Sequence, residues 1–299
     1  MSTTTELASG AVPSGGIDPE ALTRLLDVKP PQPRGPLAGW WSDTLVFAAR
    51  NLEHIRQIPE KLLDVTLQPL MFVLLFAYVF GGAIAVSGGS YREYVIAGIL
   101  MQSLAFGLTG PATAIATDLT EGVIDRFRSL PASRTAYLLG HYVAELAGMV
   151  LSIVVLLTAG LVVGWRTHND VYHVTGALLL LLLFASAMIW IGTWIGLKVR
   201  SPDAVMGVGF VVVFPLTFLS STFVPIDTLP TALQYVAAWN PISVMVGAIR
   251  VMFGNPSLPV SVHSLPLEHP VPSAFLYCFV LLAIAVPASL RRYKARTTD

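Results

Sequence analysis

Six long apolar blocks without a single Lys or Arg dominate this chain, at approximately 65–86, 95–117, 137–164, 174–197, 205–224 and 274–290. A helix needs about 20 apolar residues to cross roughly 30 Å of hydrocarbon. In lipid the backbone must satisfy its own polar groups, and a helix does so within one segment. The blocks therefore predict an all-α polytopic membrane protein with six transmembrane helices. Pro69, Pro111 and Pro215 fall within predicted spans and Pro287 lies near the end of the last. Neighbouring helices can re-satisfy the carbonyls such prolines free. Only 12% of the 299 residues are charged, against about 25% in an ordinary soluble domain.

The formal net charge is zero, and it hides an asymmetry. Arg24, Lys29, Arg34, Arg50, Arg56 and Lys61 precede the first block, and Arg126, Arg128 and Arg134 lie between the second and third. Lys198 and Arg200 follow the fourth, and Arg291, Arg292, Lys294 and Arg296 follow the sixth. These alternate connections hold 15 of the 18 basic residues, leaving only Arg92, Arg166 and Arg250 for the opposite side. Positive charge favours the cytoplasmic side, so both termini and the 118–136 loop are expected in the cytoplasm.

Residues 1–36 are rich in Ser, Thr, Gly and Pro with no apolar core, which predicts a disordered cytoplasmic tail and no cleavable signal peptide. Residues 37–64 begin with Trp40 and Trp41, suited to the headgroup region. From Thr44 to Ile58, Leu45, Ala48, Ala49, Leu52 and Ile55 share one helical face while Arg50, Glu53 and Arg56 lie elsewhere. This predicts an amphipathic helix, either in the membrane interface or packed on the bundle, ended by Pro59. A transmembrane domain over 65–290 and a basic cytoplasmic tail over 291–299 complete the organisation.

Residues 223–255 are too apolar for an open loop, yet Pro225, Pro230, Asn240 and Pro241 interrupt them. The stretches 231–239 and 242–253 are each too short to cross. They predict an external re-entrant hairpin before the last span, turning at Asn240 and Pro241 and carrying Arg250. A seventh span would put the basic C-terminus outside, against the charge bias.

No G-x-x-x-x-G-K-[ST], H-E-x-x-H or C-x-x-C occurs. Use of ATP must then come from another chain, and this chain is expected to hold no cofactor of its own. His168, Asp170 and His173, and separately His263, Glu268 and His269, gather in polar loops, but their spacing matches no metal-ligand pattern. No metal, catalytic residue or nucleic-acid partner is expected. The lone Cys278 is a packing residue that excludes an intrachain disulfide. Glu145 is the only acid inside a predicted span, with His141 one turn before it. The pair is either a structural contact or an intramembrane polar site for transport.

The stretch EGVIDRFRSLPASR, residues 121–134, joins the second and third blocks. Val123, Phe127 and Leu130 fall at i, i+4 and i+7 with Ile124 beside them, and Pro131 closes the run. Glu121 and Asp125 near its start and Arg128 near its end complement a helix dipole, with Arg126 on the polar side. The result is a short cytoplasmic helix whose apolar face either packs on the span ends or docks a soluble partner through Phe127.

EGVIDRFRSLPASRTAYLLGH resembles the signature segment of ABC-2 type transporter permeases of the daunorubicin/doxorubicin resistance group. AARNLEHIRQIPEKLLDVTLQPLMFVLLFAYVFGGAI, FLSSTFVPIDTLP and NPISVMVGAIRVMFGN resemble three further elements of that group, in order across 45–290. The resemblance implies the membrane subunit of an ATP-driven exporter in a bacterial plasma membrane, a homo- or heterodimer of permease chains. A separate ATP-binding subunit would carry ATP and Mg. Glu121, Asp125, Arg126, Phe127 and Arg128 would form the coupling helix, and Arg50, Asn51, Pro59 and Glu60 the interfacial support. The hairpin would close the outer face, and lipophilic or amphipathic cargo would move along spans one, two and five. The same architecture would serve a lipid, a glycan precursor or an endogenous metabolite. A membrane-embedded enzyme centred on His141 and Glu145 would need a convergent polar cluster from several spans.

Overall fold

Helix follows helix, and among the described residues there is no strand. The computed structural model describes Thr44 and residues 59–82, 89–123, 134–199, 201–256, 262 and 264–298, all within the unit Trp40–Asp299. The chain runs through α1 (Pro59–Leu74, continued by a π-helix Leu75–Phe80), α2 (Tyr91–Phe106), α3 (Thr109–Thr120), α4 (Arg134–Val163) and α5 (Val171–Gly196). Then come α6 (Pro202–Val208), a π-helix Gly209–Val213 and α7 (Phe214–Phe218), followed by α8 (Thr231–Trp239) and α9 (Pro241–Phe253). The short α10 (Leu265–Glu268) precedes α11 (Pro270–Thr298).

Among the described residues, four stretches are long and apolar enough to cross a membrane: Tyr91–Thr120, Ala136–Val163, Val171–Gly196 and Pro270–Ala295. The blocks predicted as spans one and five are the shorter apolar helices Leu67–Phe80 and Pro202–Phe218. The prolines explain much of this segmentation. Pro111 cannot donate to Gly107 four residues back, so the second span breaks at Gly107–Leu108 and restarts with Pro111 in the first turn of α3. Thr109 Oγ1 donates to Phe106 O at 2.8 Å across the break. Pro215 likewise follows the π-helix Gly209–Val213, and the Thr217 hydroxyl donates at 3.0 Å to Val213 O and Phe214 O. Helix α11 passes Pro287 and continues through 291–298 without a break, so the backbone of the predicted tail is helical as far as Thr298.

Helix α5 packs on α3 and α11, and α9 packs on α2, α5 and α11. Tyr94, Ile96, Ile99, Leu100 and Met101 of α2, Phe184 of α5 and Phe253 of α9 lie below 2% exposure in this core. Cys278 of α11 is buried there beside Met245 Sδ, 3.9 Å away. At one end α5 starts on Asp170, whose carboxylate caps His173 N and hydrogen-bonds the His173 ring. That bond holds the exposed Asp170 carboxyl below its ordinary value. A depressed carboxyl stabilises above its unfolded pKa and loses this as pH falls through the folded one. Asp170→Ala should therefore lower the thermal midpoint at neutral pH and have a shrinking effect as the buffer is taken below the carboxylate range.

Candidate functional site

The segment after α7 leaves helical geometry, and long-range polar contacts converge on it. Leu219 leaves the helical region at φ −87°, ψ 44°, and residues 219–223 carry their carbonyls into the protein interior. Each unpaired carbonyl there would cost a few kcal/mol, so the partners can be accounted for one by one. Asn240 Nδ2 donates to Leu216 O at 2.7 Å and Leu219 O at 2.8 Å, while its Oδ1 accepts Ile242 N at 2.9 Å and caps α9. Ser220 Oγ donates to Thr217 O at 2.5 Å. Tyr94 OH donates to Ser221 O and Tyr91 OH to Phe223 O, each at 3.0 Å. Ser221 N donates to Ser243 Oγ at 3.0 Å.

Arg250 ties this together. It is 3% exposed, and its Nη2 donates to Ser221 O at 2.8 Å and Thr222 O at 3.3 Å. Its Nε donates to Tyr94 O at 2.9 Å, and the guanidinium lies 3.4 Å from the Tyr94 ring centroid. Carbonyl dipoles and an aromatic face thus compensate the burial of the cation. Gly98 of α2 allows the approach: a Cβ there would sit 2.1 Å from Thr222 O.

The hairpin α8–α9 bends by 71° at Asn240. Its limbs have opposite environments. Ten of the thirteen residues of α9 are buried, so this limb is a core element rather than a surface flap. On α8, by contrast, Tyr235, Val236 and Trp239 are exposed. Gly254, at φ +70°, ends α9 in the left-handed conformation that glycine adopts without strain. The 164–170 connection then clamps that end. Asn169 Nδ2 donates to Val251 O at 2.8 Å, His168 N to Phe253 O at 2.8 Å, and Trp165 Nε1 to Asn255 Oδ1 at 2.7 Å.

A second polar group lies at the opposite end of α2–α3. His141 Nε2 is buried with no hydrogen-bond partner among the described residues, 3.9 Å from Glu145 Oε1. That distance is electrostatic contact, beyond hydrogen-bond reach. The His141 ring stacks on Tyr137, Tyr137 stacks on Tyr293, and Tyr137 OH donates to Asp118. Glu145 Oε2 comes 3.1 Å from the point where a Cβ on Gly110 would stand.

The structure thus brings Asn240 and Arg250 together, with Pro241 opening α9, and sets His141 beside Glu145. It leaves those two groups apart. Sequence reasoning passed over Tyr91, Tyr94, Ser221 and Thr222; the Ser-Ser-Thr run within FLSSTFVP was the available signal. It also passed over Asp118 and Tyr293. Glu121 is the C-cap residue of α3, and Gly122 turns the chain at φ +66° before Val123. Glu121 therefore sits at the end of α3, ahead of that turn. Pro59 and Glu60 open α1. Ile124, Asp125, Arg126, Phe127 and Arg128, like Arg50, Asn51, Arg56 and the segment 1–36, lie outside the described residues. Among the described residues no three His, Cys, Asp or Glu side chains gather as a metal site; His263 lies outside them.

The hydroxyls and the guanidinium around 219–223 donate to backbone carbonyls, an arrangement that holds chain segments together. It sits within the part of the sequence that known proteins share. Residues 43–253 match the ABC-2 type transporter family. A daunorubicin resistance ABC transporter permease protein of Streptomyces coeruleorubidus is 33% identical over 209 residues, 70% of this chain and 74% of the relative. A doxorubicin resistance ABC transporter permease protein of Mycobacterium tuberculosis is 25% identical over 232 residues, 75% of this chain and 80% of the relative. Helices able to cross a membrane, a bent pair latched by a buried arginine, and a match running from residue 43 through α9 lead to one conclusion: the chain belongs to the ABC-2 type transporter family.

Proposed function

We propose that this chain is the permease subunit of an ATP-driven exporter that moves lipophilic or amphipathic compounds out of the cell. The observation that carries the reading is membership of the ABC-2 type transporter family, with relatives named as daunorubicin and doxorubicin resistance permeases. The sequence carries no phosphate-binding loop motif, and in this reading ATP and Mg belong to a separate subunit. In this reading α1 with its π segment, α2–α3, α4, α5, α6–α7 and α11 make six crossings. An even number keeps both termini on the side that holds 15 of the 18 basic residues. The α8–α9 hairpin then lies at the outer face as its closing element.

In this reading Glu121, Val123, Ile124, Asp125, Arg126, Phe127 and Arg128 contact the ATP-binding subunit, with Arg50, Asn51, Arg56, Pro59 and Glu60 beneath them at the interface. Closure of two partner ATPase domains moves this handle, and two permease chains switch as rigid bodies. Cells expressing the chain with its ATP-binding partner should accumulate several-fold less daunorubicin than cells with either alone, or with a partner lacking its phosphate-loop lysine. Equal accumulation in all four would overturn the reading. The handle has its own test. Phe127→Ala with Glu121→Ala should cut partner binding and ATPase stimulation about tenfold or more, as loss of an interface anchor does. Unchanged co-purification would remove the handle from this stretch.

A further inference from the structure

Helix α11 joins an apolar face to a basic end with no change of backbone, remaining helical from Pro270 to Thr298. Inward contacts fix its rotation. Ala274 and Cys278 are buried in the main core. Further along, Ser289 Oγ donates to Trp190 O at 3.0 Å. Tyr293, one turn later, is buried and stacks on Tyr137 of α4 with centroids 5.9 Å apart. The outward face carries Leu276, Val280 and Ile284, which are 60%, 45% and 64% exposed. Their spacing of four residues keeps them on one side of the helix. Arg291 stands two turns beyond Ile284 on that same side, and both it and Arg292 are exposed. Lys294 and Arg296 follow, and α11 contains no Asp or Glu to offset these charges.

The lengths match a bilayer. From Pro270 to Arg291 the helix rises about 32 Å, close to the roughly 30 Å of hydrocarbon, so the arginines stand at headgroup depth when Pro270 is at the opposite boundary. From Val280 to Arg291 the rise is about 16 Å, close to the hydrocarbon of one leaflet. An acyl chain on this stripe gains dispersion contact with each aliphatic side chain, and its own headgroup then meets Arg291. A soluble acidic partner would have no use for the stripe. A second copy related by a twofold axis along the membrane normal would cover the stripe, but it would set both groups of arginines at the same depth, like charge against like. The combination of an apolar stripe and a cationic end fits an amphiphile of opposite charge.

We infer that the outward face of α11 holds an anionic phospholipid of the leaflet at its C-terminal end, with the acyl chain along Leu276, Val280 and Ile284 and the phosphate on Arg291 and Arg292. A guanidinium donates two parallel hydrogen bonds to a phosphate. A zwitterionic headgroup brings an ammonium that offsets its phosphate, whereas an anionic one does not, and each basic residue beside a span favours the anionic lipid about fivefold. The lipid is part of the protein's wall and is not carried. The inference needs only that α11 crosses the membrane, so it stands apart from the exporter reading above.

The test titrates the delipidated full chain in detergent with phosphatidylglycerol or phosphatidylcholine of identical acyl chains, and reads lipid adducts by native mass spectrometry. Wild type should bind its first phosphatidylglycerol about tenfold tighter than its first phosphatidylcholine. Arg291→Gln with Arg292→Gln should bring the two lipids within about twofold by weakening phosphatidylglycerol alone. Arg291→Lys with Arg292→Lys, which keeps the charge, should retain most of the preference. Arg166→Gln, at an exposed arginine outside α11, should leave it unchanged. Deacylated glycerophosphoglycerol at equal concentration should not displace the lipid. Equal affinities in wild type would overturn the inference, and that comparison holds whether or not the glutamine variant folds. A preference that survives in the glutamine variant would do the same, as would one that the lysine variant loses equally. Equal loss in Arg166→Gln would mark net charge alone, and displacement by glycerophosphoglycerol would mark a site for free phosphate esters; either overturns the inference. A dimer lost in the glutamine variant with its lipid ratio intact would give the face to a second copy instead.

Discussion

Arg250→Ala is expected to destabilise the bundle by about 2–4 kcal/mol, the cost of leaving buried carbonyls short of a donor. The side chain serves Ser221 O, Thr222 O and Tyr94 O together, and no other residue reaches from α9 to both α2 and the unwound segment in this way. Low local polarity strengthens each of these bonds and also raises the cost of losing them. Dye-monitored thermal unfolding of the detergent-purified chain should register the loss, together with faster proteolysis within 219–225. Arg250→Lys should recover only part of it, because one ammonium cannot reproduce the fork that spans Tyr94 O and the two loop carbonyls. Tyr94→Phe is the finer control. It keeps the ring under the cation and removes only the hydrogen bond to Ser221 O, so it should cost about 1 kcal/mol. An unchanged midpoint for Arg250→Ala would mean that other donors take over the carbonyls, and the latch would have no energetic content.

Gly192→Ala should be nearly as damaging for a purely steric reason. A Cβ there would stand 2.2 Å from Leu108 O and 2.9 Å from Pro111 Cγ, and one on Gly196 would stand 2.5 Å from Ala112 O. Those atoms are backbone or ring and cannot swing aside. Helices α5 and α3 must then separate, at a cost of about 1–3 kcal/mol as in other overpacked interiors. The same change at Gly148, where nothing lies within 4 Å of the added carbon, should be neutral or slightly stabilising in its helix. Comparing the three thermal midpoints separates a close helix contact from a general intolerance of glycine replacement. Similar midpoints for Gly192→Ala and Gly148→Ala would refute the close-packing account.

How much of this could be read beforehand varied from element to element. The pair Gly192 and Gly196 has the spacing of a close helix contact, but spacing alone does not name the partner. Only the docked structure supplies Leu108, at the break, and Ala112 of α3 as the backbone they face. Asn240 and Pro241 were legible as a turn between two short apolar stretches, and the bend lies there. That the first limb would be open and the second buried was not legible, since both limbs are apolar. Spans one and five were predicted from hydropathy, which does not register a π turn or the unwinding after Phe218. In span five those follow from Pro215 and from donors far away in sequence. His141 and Glu145 were paired by their one-turn spacing. Their companions Asp118 and Tyr293 come from other helices, at separations no local pattern records.

By itself the sequence determined that the chain is helical and membrane-embedded, that its basic residues gather in alternate connections, and which family it belongs to. These depend on properties summed over a segment: hydropathy, charge and motif order. A lipid environment leaves a long apolar segment little choice but a helix. Only the tertiary structure decided what the interruptions are for. Arg250 reads as a stray charge in an apolar stretch until its Nε meets Tyr94 O, 156 residues away. The phenylalanines at 72–80 and 210–223 read as ordinary bulk until Phe223 stacks on Phe76. Contacts of that separation arise only when helices dock, because satisfying a freed carbonyl or stacking a ring requires two distant segments at one place.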